Sequence, residues 1–552
     1  MGLNCDSHSA PRQPGEMCDI NVDNFFQKLP EMREAIFQAD FIAIDTELSG
    51  LDAGPLSRFS LFDSPRDHYA RRRESAQVYS IVQLGLSAFK QDNEVEGRFS
   101  VRTYNVYLCP AAVLGAGSSI TWELPALIFL RRHGLDIAQV VREGVPYLNW
   151  EQEKSLAREV ESNPTALLSL EWGEAVWDAV TSWLSEAKPG DSTVLTETGL
   201  LTPGPSTRLL HWVLRSTFPS IWTSEKDGQL LLMRVTPSGR EQQEASTPGD
   251  LCPLGLMRSM LGVTSVIRYL VEAQKPLVGH SMYLDLLHVF QSFIAPLPEP
   301  YGNFKRSLSE LFPSVYDTKH MALASEKMLQ RNDVCHMDKL ENLYMAFRRV
   351  MPWKLYAPSM LHAPGFEKYM EGGKPHEAGY DAFMTGSVFL MMSYLSVMEG
   401  LCGRLQARPQ MSDYLWAAQP FVNRVHMMRS YTAYMNLAGA DPAARSSVML
   451  VVSERRGGGG AGGVCARVTA AVRSRSCCDV RLLGPRRALV CLTGLRGMQD
   501  VRSRLLDTGK FHVRLYRPWM DSRLASTLFW GSGLMMAMSL FLWLVPSPSK
   551  IQ

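Results

Sequence analysis

The stretch Phe41-Ile42-Ala43-Ile44-Asp45-Thr46-Glu47-Leu48-Ser49-Gly50 decides how the rest of the chain is read. Its unbroken apolar run reads as a buried strand. That strand delivers two carboxylates at its tip. Side-chain alternation puts Asp45 and Glu47 on one side and turns Thr46 away. Carboxylates held that close repel unless they share protons or bind a cation, so a divalent metal is the economical explanation.

Upstream of this strand, the pattern from Asn21 is an amphipathic helix. Downstream, Val78 to Phe89 and Ser100 to Leu108 follow at meander spacing and predict an antiparallel half-sheet. Residues 121 to 147 read as helix and turn. The sheet resumes at Pro276-Leu277-Val278-Gly279-His280, a short buried strand entering a helix, Met282 to Phe290, that carries Asp285. A further strand tip is Val315-Tyr316-Asp317. The last helix of this domain, 376 to 398, begins His376-Glu377-Ala378-Gly379-Tyr380-Asp381. Acids on a strand and on separate helices can hold two metal ions about 4 Å apart, which stabilises both the attacking and the leaving oxygen in phosphoryl transfer. His376 is placed to reach the attacking water as a general base. A lone Asp-x-Glu is weak, since such acids are more often solvated turns or helix caps. The order of the motifs is what points to chemistry.

That order, with the words around it, resembles the DEDDh-type 3′-exonucleases in the branch of poly(A)-specific ribonuclease. Phe41 to Gly50 is similar to that family's first motif, Gly279-His280-Ser281-Met282-Tyr283-Leu284-Asp285 to its second, and His376 to Ala382 to its third. The resemblance continues through Gly144-Val145-Pro146-Tyr147-Leu148-Asn149 and Tyr316-Asp317-Thr318-Lys319, so it covers most of residues 20 to 400. It implies an α/β RNase H-like core in which Asp45, Glu47, Asp285 and Asp381 hold two Mg²⁺ or Mn²⁺ ions and His376 acts as base. The implied reaction is hydrolysis of the terminal phosphodiester of single-stranded RNA from a free 3′ hydroxyl. One departure is Ser281, where the family usually has Asn. Poly(A) deadenylation and DNA hydrolysis fit the same core motifs. A non-catalytic RNA-holding scaffold is the rival from another class, and the complete acid set argues against it.

Composition agrees with a large folded protein. The 552 residues are 46% hydrophobic and 20% charged, which excludes disordered, collagen-like and disulfide-stapled classes. Ten scattered cysteines without a CxxC pair, and no signal-like start, read as reduced thiols in a cytosol-facing protein. Residues 1 to 20 read as a flexible lead. The nuclease core is expected over 21–150 and 251–405, interrupted by an insertion at 151–250 rich in Ser, Pro, Gly and Glu. In the soluble relatives the insertion carries an Arg-x-x-x-His signature. Arg208-Leu209-Leu210-His211 is one residue too short for it, which argues against nucleic-acid binding there.

Residues 406–446 read as a connector and 447–518 as a small βαββαβ module, a ferredoxin-like order. By resemblance it is a degenerate RNA-recognition fold, since Arg487-Ala488-Leu489-Val490-Cys491-Leu492 lacks the aromatics that stack bases. The net charge is +2 overall, but residues 441 to 552 carry 17 Lys+Arg against 6 Asp+Glu, a local +11. The uncharged run Leu524 to Val545 has 22 residues, about 33 Å as a helix and long enough to span hydrocarbon. Arg514, Arg517 and Arg523 precede it and only Lys550 follows, so the positive-inside rule predicts a tail anchor with the large N-terminal part in the cytosol. This segment is similar to that of the membrane-anchored members of the branch. That likeness implies trimming of piRNA precursors at the mitochondrial outer membrane beside a Tudor-domain adaptor and a PIWI protein.

Other features have bland readings. Lys319 reads equally as a phosphate contact and as a surface lysine. Arg71-Arg72-Arg73 and Arg131-Arg132-His133 are read as solvated loops in preference to RNA grips.

Overall fold

The computed structural model describes residues 18–54, 60–111, 119–162, 173–195, 205–226, 229–246 and 260–453, with short runs set aside between 336 and 447. Beyond these it describes 478–484, 487–492, 511–517 and scattered positions up to 541. The chain divides into two units, one comprising 1–58, 69–428 and 434–441, the other 59–68, 429–433 and 442–552.

The first unit is built on a mixed sheet. Its strands are β1 (Asp19–Ile20), β2 (Phe41–Leu48), β3 (Ile81–Gln91), β4 (Arg98–Tyr107), β5 (Leu277–Gly279), β6 (Val315–Asp317), β7 (Ser359–His362), β8 (Arg424–His426) and β9 (Tyr434–Asn436). The spatial order is β1-β4-β3-β2-β5-β6-β8-β9, with β7 also paired to β4. β2, β3 and β4 form the expected antiparallel meander, and β2, β5 and β6 run parallel. The helices that matter for the site are α1 (Phe25–Gln38), α2 (Pro65–Val78), α3 (Leu124–Arg132), α4 (Tyr283–Val289), α5 (Thr318–Ala324) and α6 (Ala378–Gly400).

Alternation along β2 feeds two separate cores. Phe41 and Ala43 pack with Phe89, Phe383 and Phe389 on the α6 side, while Ile42, Ile44 and Leu48 pack with residues of α1 and α4 on the other. Covered on both faces, the strand has no use for polar residues before its carboxyl end. α6 is long and apolar enough to cross a bilayer by composition, yet it is buried along nearly its whole length as the central helix of one core. Gly386 lets it approach the sheet, because a Cβ there would stand 2.1 Å from the Phe89 ring.

Several segments differ from expectation. Asp19 and Ile20, placed in the flexible lead, pair with Asn105 and Val106. The stretch 406–446, expected as a connector, supplies a helix (Met411–Ala418) packed in the α6 core and the strands β8 and β9. Those strands have three residues each, too short for alternation to register. Arg71-Arg72-Arg73 is helical, within α2, and Arg72 is buried.

The insertion contains a three-stranded antiparallel sheet of 192–195, 229–234 and 221–226. His211 Nδ1 lies 2.6 Å from Thr223 Oγ1, and Arg215 donates to the same oxygen at 2.9 Å while its guanidinium covers Trp222. Both basic side chains are buried inside the module.

In the second unit, 448–453, 478–484, 487–492 and 511–515 make a four-stranded antiparallel sheet. In space the second of these strands comes first, then the third, first and fourth. Segments 59–68 and 429–433 belong to this unit, fastened to Asp479 by the Leu61 N–H at 2.6 Å and by Arg429 at 2.9 Å. The first helix expected within the 447–518 module lies outside the described residues. Within the apolar tail, residues 535–541 are helical. Met535, Met536, Met538, Leu540 and Phe541 are all exposed, so this apolar helix offers apolar side chains all around its axis.

Candidate active site

The division of β2 between two cores also builds the site. Asp45 and Glu47 continue the Phe41 and Ala43 face and therefore point toward α6, whose first turn carries Asp381. Thr46 continues the Ile42 and Ile44 face, toward α4, whose first turn carries Asp285. Thr46 is therefore more than a residue turned away. Its backbone N–H and hydroxyl both donate to Asp285 Oδ1, at 3.1 and 2.5 Å, and hold that carboxylate at the end of β2. Removing the hydroxyl with Thr46→Val is expected to weaken divalent-metal affinity about 10- to 100-fold, the usual effect of losing a support behind a ligand. Mn²⁺ titration measures it.

α6 is aimed by the sheet. Its capping residue, Glu377, makes no side-chain cap. Instead Gln83 of β3 accepts from Ala378 N–H at 2.9 Å and Asn105 of β4 from Gly379 N–H at 3.1 Å. Lys368 ties Glu377 to Asp19, with contacts of 2.5 and 2.7 Å. β3 supplies Gly85 directly opposite Asp45, and a Cβ there would lie 1.8 Å from Ala378 O. These supports were not legible in the sequence, beyond an isolated glycine inside an apolar strand, which signals close backbone approach.

The four acids and His376 line one cavity of about 460 Å³ together with Leu51, Asp52, Glu123, Phe129 and Ser281. Oxygens of Glu47 and Asp381 and a ring nitrogen of His376 lie within 4.8 Å of one another. His376 precedes α6 in a left-handed backbone conformation (φ 67°), donates its N–H to Asp381 Oδ2 at 3.3 Å, and packs against Phe129 and His133 at 4.6 and 4.4 Å between ring centres. His133, read as a solvated residue, is thus a neighbour of the candidate base. Arg72 donates to Leu51 O and to Asp52 at 2.6 and 2.7 Å, and Glu123 accepts from the N–H groups of both residues, so the loop after β2 is tied down at the cavity mouth. Lys319 does not line the cavity. It sits half-buried in the first turn of α5, where its charge is felt by His280.

The electrostatics are those of crowded acids. Burial, then repulsion from Asp381, Asp285 and Glu47, pushes the Asp45 carboxyl well above its ordinary value. Burial and then Asp381 and Asp285 do the same to Glu47. Asp285 is raised to about 6 by burial against the opposing Thr46 hydrogen bond, and Asp381 to about 7 by burial against the opposing His376 N–H. Burial, followed by the nearby His133, lowers the His376 pKa and favours the neutral, proton-accepting ring.

Comparison with known proteins identifies the family. Residues 20–389 match the family model described as CAF1 family ribonuclease. The chain is 32% identical to the mouse protein "Poly(A)-specific ribonuclease PNLDC1", over 91% of this chain and 94% of that one. It is 26% identical to the silkworm "Pre-piRNA 3'-exonuclease trimmer", over 96% and 99%. It is also 26% identical to the Xenopus laevis "Poly(A)-specific ribonuclease PARN", over 77% and 69%. The matched span takes in every acid that lines the cavity, and the chain belongs to the CAF1 family of ribonucleases.

Proposed function

We propose that this protein is a DEDDh-type, metal-dependent 3′-to-5′ exoribonuclease that trims single-stranded RNA from a free 3′ hydroxyl and matures piRNA precursors. The observation that carries the reading is the convergence of Asp45, Glu47, Asp285, Asp381 and His376 on one cavity in a CAF1-family chain. The donor set suits a hard divalent cation. It consists of carboxylate oxygens, their pKa values are raised by burial and then by mutual crowding, and Asp381 Oδ1 is buried with no hydrogen-bond partner among the described residues. Two Mg²⁺ or Mn²⁺ ions held by Asp45, Glu47, Asp285 and Asp381 would neutralise the phosphate and lower the pKa of the attacking water. His376, neutral at physiological pH, takes the proton of that water. Its backbone bond to Asp381 fixes the residue's position relative to the acids, and Phe129 and His133 pack against the ring.

The resemblance to membrane-anchored trimmers and the exposed apolar helix at 535–541 support a tail anchor over 524–545, with the nuclease in the cytosol. The proposal takes the anchoring membrane to be the mitochondrial outer membrane and the partners to be a Tudor-domain adaptor and a PIWI protein. The strand order of the second unit suits a degenerate RNA-recognition fold.

The test uses 5′-labelled RNA and matched DNA with free or blocked 3′ ends, with and without an oligo(A) end, in Mg²⁺ or EDTA. A ladder only from RNA with a free 3′ end and only with metal is the expected result. Cleavage of blocked ends or activity in EDTA rejects the proposal, and strict dependence on the oligo(A) end assigns a deadenylase instead. His376→Ala should slow the reaction by about two to four orders of magnitude, with part of the rate returning at high pH where hydroxide needs no base. A pH profile identical to wild type would remove His376 from the mechanism.

A further inference from the structure

β6 ends in Asp317, which is fully buried and lies outside the four-acid set. Its carboxylate accepts five backbone N–H groups. Oδ1 receives those of Ser281 at 3.0 Å, Lys319 at 2.9 Å and His320 at 3.2 Å. Oδ2 receives those of Met282 at 3.1 Å and His426 at 2.9 Å. Capping α5 accounts for only two of these donors, Lys319 and His320. The other three come from segments distant in sequence, namely the turn that enters α4 and the strand β8. The next residue reinforces the grip, with Thr318 Oγ1 donating to Gly279 O at 3.1 Å and lying 2.8 Å from His280 Nδ1.

The turn held in this way is strained. Ser281 has φ 59°, a left-handed conformation that is unfavourable for a non-glycine residue. Such a conformation persists only where its surroundings over-determine it. Asp317 receives the N–H of Ser281 and of the residue after it, Met282, which caps α4. Asp285 sits in the first turn of that helix, so the direction of its carboxylate follows from the turn. Thr46 fixes Asp285 from the β2 side and Asp317 fixes its helix from the β6 side.

We propose that Asp317, assisted by Thr318, is a positioning residue for the metal site: by clamping the Gly279–Met282 turn it aims Asp285 and so sets divalent-cation affinity without touching the cation. The proposal rests on the metal-site reading above, and the experiment separates the two. Asp317→Asn keeps size and shape but replaces one acceptor oxygen by an amide donor. Whichever way the amide lies, at least two backbone N–H groups then face N–H. Mn²⁺ binding to the full-length chain, followed by the paramagnetic resonance of free Mn²⁺, is the readout. The expected result is a 10- to 100-fold weaker affinity for Asp317→Asn, with a cooperative thermal transition retained. In an Asp285→Asn background the same substitution should cause no further loss, because the route through Asp285 is already cut.

Unchanged Mn²⁺ affinity in a folded Asp317→Asn variant, or losses that simply add in the double variant, would overturn the positioning role. If Asp317→Asn does not fold, Thr318→Val carries the test. It should shift affinity in the same direction by a smaller factor, and no shift there counts against the proposal. Failure of wild type to bind Mn²⁺, or full Mn²⁺ affinity in Asp285→Asn alone, would instead reject the metal site on which the proposal rests.

Discussion

Asp45→Ala or Glu47→Ala is expected to extinguish 3′ trimming while leaving the protein folded and, without metal, no less stable than wild type. Both residues face α6 at the end of a strand whose other side chains form two apolar cores, so neither contributes to packing. Each is held in repulsion with the remaining acids, and removing one relieves the others. The two properties separate in one pair of measurements, a trimming assay in Mg²⁺ and a thermal melt in EDTA. More than a trace of wild-type rate in either variant would mean that the assignment of these acids is wrong. A large drop in melting temperature would mean that they hold the fold.

The same repulsion gives the acid cluster's contribution to metal-free stability a pH dependence of definite sign. Asp381 and Asp285 have folded-state pKa values of about 7 and about 6, above the ordinary carboxyl range. Between about pH 4 and pH 7 these two groups bind more protons in the native state than in the unfolded chain, so their contribution to stability falls as pH rises. In EDTA the melting temperature of wild type relative to an Asp381→Asn variant should increase as pH is lowered from about 8 to about 5. Saturating Mg²⁺ should flatten or reverse that slope, because the cation replaces the protons.

Gly85→Ala should be the most damaging single-methyl change in the sheet. The added Cβ would stand 1.8 Å from Ala378 O and 2.1 Å from its carbonyl carbon, a collision with backbone that no rotamer relieves. Either β3 or the amino end of α6 must move. Moving α6 strips Ala378 and Gly379 of their partners Gln83 and Asn105. The cost is about 3 kcal/mol from overpacking, at the upper end for such changes. Asp381 and His376 lie within the first turn or just before it, and a shift of about 1 Å in reacting groups is worth on the order of 100-fold in rate. A chemical-denaturation curve and a trimming assay on the surviving soluble protein test both parts. Wild-type stability would show that α6 does not rest on this glycine.

The acids were legible because each sits at a break in a simple pattern. Asp45 and Glu47 end an apolar run, Asp285 lies in the first turn after Leu277-Val278-Gly279, and Asp381 follows His376 at the start of a long apolar helix. Periodicity and turn chemistry locate such breaks without any knowledge of the partners. Strands β8 and β9 escaped the same reading because three residues carry too little alternation to stand out from turns. Charge runs misled for a related reason. The sequence marks Arg71, Arg72 and Arg73 as alike, and only the fold shows that Arg72 is buried against Leu51 and Asp52.

By itself, then, the sequence determined the α/β class, the meander around β2 and which four acids and histidine to look for in one cavity, because these are written in local pattern and in the order of motifs. Only the tertiary structure decided what aims them. Thr46 behind Asp285, Gln83 and Asn105 at the amino end of α6, Gly85 beneath it and Asp317 under the Ser281 turn are all single polar or small residues whose partners lie tens to hundreds of positions away. A hydrogen bond or a close backbone approach imposes no period on the chain, so nothing in the local sequence announces it until the fold brings its two ends together.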